Sequence, residues 1–100
     1  MAVVFLTITP IGTATPSVSR YVAGVEKILR ASGLKNQLTA MGTIIEGDLG
    51  EILKVVREMH EHPFTQGEVR VSTLIKIDDR RDKEHTIAGK MRSVEEKLKG

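Results

Sequence analysis

The chain has no cysteine and no tryptophan, and only three aromatic residues: Phe5, Tyr21 and Phe64. Without cysteine there is neither a disulfide framework nor a thiolate metal centre, a composition suited to the cytosol. Three scattered aromatics do not build a base-stacking platform. An excess of one charge is missing as well. Fifteen Lys and Arg against 13 Asp and Glu leave a net charge of +2, and the basic residues form no stripe, so nucleic acid is not implied. No apolar run approaches the ~20 residues that a membrane span needs. The opening Met1-Ala-Val-Val-Phe-Leu leads into strand-like sequence rather than a signal peptide. What remains, 40% apolar and 28% charged residues over 100 positions, describes one soluble globular domain spanning residues 1–100.

Hydrophobic periodicity divides that domain into elements. Ala2–Thr9 reads as a strand with Val4, Leu6 and Ile8 on one face and Val3, Phe5, Thr7 and Thr9 on the other. The Pro10–Pro16 segment is a loop, with Thr15 as an N-cap before Pro16 at the first helical position. Val18, Tyr21, Val22, Val25, Ile28 and Leu29 recur at helical spacing, and Gly33 closes that helix. Leu34–Ala40 and Thr43–Glu46 are short strands joined through Met41-Gly42-Thr43. Asp48 and Glu51 form a capping box for a second helix, carrying Leu49, Ile52, Leu53, Val56 and Met59, which His62-Pro63 ends. Val69, Val71, Thr73, Ile75 and Ile77 alternate strictly in a fourth strand. Ile87, Met91, Val94 and Leu98 mark a terminal helix.

The order β-α-β-β-α-β plus a last helix predicts an α+β, ferredoxin-like fold: a four-stranded antiparallel sheet with both main helices on one face and an extra C-terminal helix. The opposite face is then bare. Because the first strand is apolar on both faces and Leu74 sits opposite Ile75, covering that face with further copies of the chain is the economical solution.

Four places carry candidate chemistry. The loop holding Gly12, Thr13, Thr15 and Ser17 precedes a helix N-terminus, where N–H groups and hydroxyls can hold an anion or a polar ring, or simply cap the helix. A phosphate-hydrolysing site of the acylphosphatase kind needs an arginine in this loop, and none lies between Pro10 and Ser19. Met41, Gly42, Thr43 and Glu46 set a tight turn, a hydroxyl and a carboxylate close together, either as a binding group or as a hairpin with a solvated glutamate. His60, His62 and His85 invite a metal reading, but an i, i+2 pair diverges on a helix, so a structural role is favoured and no metal is expected. Last, Asp78-Asp79-Arg80-Arg81-Asp82 closes the fourth strand. Its acids and arginine forks can organise a pocket, lock a subunit contact or solvate a turn, with Asp82 capping the final helix beside Glu84. No nucleophile–base pair with a recognisable spacing is present, so no catalytic residue is assigned.

Taken together, Pro10-Ile-Gly-Thr13, Met41-Gly-Thr43 followed by an acid, and Ile77-Asp-Asp-Arg-Arg-Asp82 resemble the small, single-domain thiamine-binding protein family related to YkoF, over essentially the whole chain. The resemblance implies a ferredoxin-like fold and homo-oligomerisation through the open sheet face as a dimer of dimers, a homotetramer. It also implies binding of thiamine or its hydroxymethylpyrimidine part without catalysis, and it calls for no cofactor. Gly12, Thr13, Gly42, Thr43, Asp78, Asp79 and Arg80 match its motifs. Thr13 or Thr43 would read ring nitrogens, Glu46 would accept from the amine, and Asp78 or Asp79 would offset the thiazolium charge, with Met41 as an apolar flank. Arg80 and Arg81 would organise the pocket or a subunit contact. The alternative is an oligomeric interaction or regulatory module with a different small ligand or none.

Overall fold

The structure, a computed structural model, describes residues 1–12, 19–82 and 86–99. The expectations placed on Thr13, Thr15, Pro16, Ser17, Val18, Glu84 and His85 lie outside the described residues. The elements run β1 (Ala2–Pro10), α1 (Ser19–Ser32), β2 (Lys35–Thr39), β3 (Gly42–Gly47), α2 (Leu49–Thr65), β4 (Val71–Asp79) and α3 (Ile87–Lys99). The four strands form one sheet in the order β2-β3-β1-β4 with every neighbouring pair antiparallel, the ferredoxin-like arrangement.

Period-two alternation sorts the side chains between the two faces. On β1, Ala2, Val4 and Leu6 turn toward the helices. Val4 and Leu6 stand beside Ile45 and Thr43 of β3, and Ile77 and Ile75 of β4. With Val25 and Leu29 of α1 and Ile52, Val56 and Met59 of α2, these β1 residues and Ile45 make the core. The second face carries Val3, Phe5, Thr7 and Thr9 of β1 with Ile44 and Glu46 of β3 and Leu74, Lys76 and Asp78 of β4.

The local signals explain most boundaries. Gly33, at φ +77°, ends α1 in a left-handed conformation that a Cβ disfavours. Asp48 caps α2, its carboxylate accepting from the Glu51 N–H at 3.1 Å. Several boundaries differ from expectation: β4 begins at Val71 and leaves Val69 outside it at 90% exposure, and β1 runs on to Pro10. Helix α2 does not stop at His62-Pro63 but runs through to Thr65. Pro63 falls in the final turn and its side chain is fully buried, so apolar packing offsets the one lost N–H. Its carbonyl accepts from Gln66 and Glu68 and closes the helix. The cap of α3 is Thr86, whose hydroxyl accepts from the Gly89 N–H at 2.9 Å. Asp82, the expected cap, lies too far before Ile87 and accepts from Arg80 at 2.6 and 3.0 Å.

Helix α3 buries none of its residues. It leaves Met91, Val94 and Leu98 at 61%, 56% and 81% exposure. The radius of gyration is 15.2 Å, against about 13 Å for an ordinary 100-residue domain. No helix among the described residues is long and apolar enough to cross a membrane.

Candidate ligand-binding site

Strand β1 pairs with β4 along its whole length but with β3 only from Ala2 to Leu6. From Thr7 onward, no strand among the described residues flanks β1 on the β3 side. A cavity of about 420 Å³ opens in that gap. The end of β1, the tip of the β2–β3 hairpin and α1 wall it, with Met59 of α2 behind. Leu6, Ile8, Val22 and Val25 give it apolar sides.

The hairpin tip is shaped by one hydroxyl. Thr39 and Gly42 pair across a two-residue turn in which neither Ala40 nor Met41 adopts positive φ, so the usual primed hairpin turns are not used. The Thr39 hydroxyl holds the turn instead. It accepts from the N–H groups of Met41 and Gly42 at 3.2 Å each and donates to the Gly42 carbonyl at 2.7 Å. Gly42 must be glycine because a Cβ would stand 2.7 Å from the Phe5 ring and 2.9 Å from the Leu6 carbonyl. The turn delivers Met41 to the rim, 81% exposed, and Thr43 to the cavity's inner end, 6% exposed.

At that inner end the Thr43 hydroxyl donates to Glu26 Oε1 of α1 at 2.7 Å. Glu26 is itself buried, and its Oε2 has no hydrogen-bond partner among the described residues. Glu26 did not enter the sequence-based site, although a signal was present. It lies four residues after Val22 and three before Leu29, a carboxylate set in the apolar stripe of α1.

The fold does not bring Thr43 and Glu46 together. Three residues apart on one strand, they point to opposite faces. Glu46 lies on the second face, 5% exposed, where its Oε2 accepts from the Ile87 N–H at 2.6 Å and its Oε1 lies 3.6 Å from Lys35 Nζ. It fastens the N-terminus of α3, where negative charge is favourable. Asp78, beyond Val3 in the same row, binds α3 from the other side by accepting from Lys90 Nζ at 2.7 Å.

The rest of the charged run lies apart from the cavity. Asp79 accepts from Arg81 at 2.8 and 3.1 Å, and this bond holds its carboxyl below the usual aspartate range against the opposing effect of partial burial. The carboxylates beside Arg80 and Arg81 raise both guanidinium pKa values above the ordinary one. Gly12, at φ +79°, is exposed just past the end of β1. Among the expected site residues, Met41, Gly42 and Thr43 line the cavity, whereas Glu46, Asp78 and Asp79 do not.

His60 and His62 have structural partners. His60 Nδ1 lies 2.6 Å from the Thr73 hydroxyl and its ring meets Phe64 edge-on at 5.6 Å. His62 packs so closely on α1 that a Cβ at Gly24 would come within 2.5 Å of its Nε2. Near the start of α1, the Tyr21 hydroxyl donates to Glu68, and that bond raises the phenol pKa.

Residues 4–95 match the family described as thiamine-binding protein. The chain is 53% identical to the UPF0045 protein YqgV of Bacillus subtilis, with 98% of each chain covered. The crystal structure of protein MJ1052 from Methanocaldococcus jannaschii shares 40% identity over 95% of this chain and 96% of that one, with a TM-score of 0.85. A candidate thiamine biosynthesis/salvage protein of Thermotoga maritima shares the fold at a TM-score of 0.78 and 19% identity, over 93% of this chain and 97% of that one.

Proposed function

Because the chain belongs to the thiamine-binding protein family, we infer that it is a non-enzymatic binding protein for thiamine or its hydroxymethylpyrimidine part, and that the ligand enters the cavity between the β2–β3 hairpin tip and α1. The observation that carries this reading is the cavity itself. Its volume of about 420 Å³ lies within the roughly 300–1,000 Å³ of small-molecule sites. Apolar side chains can flank a planar ring, and the polar groups of the lining include Thr7, Thr9, Thr39 and the hydrogen-bonded pair Thr43 and Glu26. A ring with a donor at one edge and apolar faces has the matching chemistry. Met41, Gly42 and Thr43 line this cavity, while Glu46 and Asp78 bond residues of α3.

Calorimetric titration with thiamine and with hydroxymethylpyrimidine tests the reading. Saturable heat with either ligand supports it. The absence of heat and of any thermal shift at millimolar ligand overturns it.

The protein also assembles with further copies of itself through the second sheet face, as a dimer of dimers. The support is the apolar surface left open there, with Leu74 at 58% exposure, and on α3, with Met91, Val94 and Leu98 exposed. Replacing Leu74 and Leu98 by Asp lowers the mass measured by light scattering to that of one chain. An unchanged mass, whether of one chain or of several, rules this surface out.

A further inference from the structure

We propose that Glu26 is the specificity-determining residue of the cavity, accepting an N–H from the exocyclic amine of an aminopyrimidine through Oε2 while Thr43 holds Oε1. This deepens the binding function proposed above and rests on it. Glu26 is 7% exposed and lines the cavity. One of its oxygens is fixed by the Thr43 hydroxyl at 2.7 Å; the other is buried without a partner among the described residues. A desolvated carboxylate with an unused oxygen is unfavourable for folding, and an apolar residue of similar volume would serve the core better. Its orientation therefore makes sense when something else completes it.

A carboxylate only accepts, so the group facing Oε2 must donate. Among the described residues, Glu26 forms no ion pair that would use this oxygen. An aryl amine flanked by ring nitrogens supplies an N–H on a flat, largely apolar body, and the valines of α1 and Met59 can pack on its faces. A carbonyl at the same ring position would set oxygen against oxygen. Thr43 is a positioning residue here: its hydroxyl spends its hydrogen on Glu26 and so fixes which way Oε2 points.

The test titrates the wild-type protein and Glu26→Gln with thiamine and with the analogue in which a carbonyl replaces the ring amine. Thermal unfolding without ligand is measured alongside. The wild type should prefer the amine by roughly ten- to a hundredfold, the scale of one charge-assisted hydrogen bond. Glu26→Gln should lose most of that preference while unfolding at the same temperature as the wild type or higher, since a neutral amide replaces a buried carboxylate. Thr43→Val, which leaves the carboxylate unheld, should show a smaller loss of the same preference. Thiamine binding with undiminished preference in Glu26→Gln overturns this assignment and leaves the binding function standing. So does a Glu26→Gln variant that fails to fold or unfolds at lower temperature with unchanged affinity, because Glu26 is then a core residue. A wild type that binds neither compound overturns the binding function, and this assignment with it.

Discussion

On the helix-covered face of the sheet, the carboxylate beside β3 is Glu26; on the second face it is Glu46. Both are almost fully buried, and each has one oxygen within 2.7 Å of a donor. Their second oxygens differ. That of Glu46 lies 3.6 Å from Lys35, whose side chain is largely exposed, whereas that of Glu26 is buried with no partner among the described residues, on a side chain that lines the cavity. A carboxylate whose donors come from its own chain holds elements together; one left short of a donor at the end of a cavity is ready for a ligand. On the proposed binding function, the contrast separates an acid that bonds α3 from one offered to a ligand, although the sequence pointed to Glu46.

The contrast can be broken from either side. The largest effect is expected in the core of the covered face. Ile52→Ala removes a fully buried side chain under the sheet and should cost about 2–5 kcal/mol in denaturant unfolding. A loss well under that range would mean that α2 is not the main cover of this face. Glu46→Ala comes next. Losing its bond to the Ile87 N–H should cost about 1–3 kcal/mol and speed amide exchange at the start of α3, while leaving thiamine affinity unchanged. Weakened binding with α3 still protected would return Glu46 to the site and collapse the distinction between the faces.

The smallest effect belongs to the charged run. Asp79 has its carboxyl pKa depressed, chiefly by the Arg81 hydrogen bond. A depressed acid stabilises the fold above the ordinary aspartate value of 3.8 and loses that contribution as pH falls below it, through the depressed value. Arg81→Ala should therefore flatten the acid limb of a stability–pH curve and barely alter stability at neutral pH, since the Arg81 side chain is 81% exposed. A large loss at neutral pH would give this run a structural weight that its exposure does not support. Tyr21 behaves with the opposite sign. Its phenol pKa is raised by the bond to Glu68, so its contribution is complete below the ordinary value of 10.0 and fades as pH rises through the raised one. Tyr21→Phe should remove that alkaline component from the same curve.

Much of this fold was legible in the sequence. Strict alternation in β4, the Asp48 cap and the Gly33 stop each reflect a local rule that tertiary packing did not override. The end of α2 was less legible, because burial of Pro63 depends on what packs against it. Of the proposed site, the hairpin part was legible. Met41-Gly42-Thr43 announced itself through turn chemistry. Pairing Thr43 with Glu46 ignored the strand period that puts them on opposite faces, a rule available from spacing alone. Glu26 was harder, since a single glutamate on an apolar helical stripe becomes meaningful only when a hydroxyl from a strand seventeen residues away meets it.

The central claim is that the ligand sits on the covered face. Backbone amide chemical-shift mapping of the isotope-labelled protein during thiamine titration tests it directly. The account predicts saturable shifts clustered at Val22, Val25, Glu26 and residues 39–43, with Glu46, Asp78 and the start of α3 little changed. Shifts centred on Glu46, Asp78 and α3 would contradict it and move the site to the other face of the sheet.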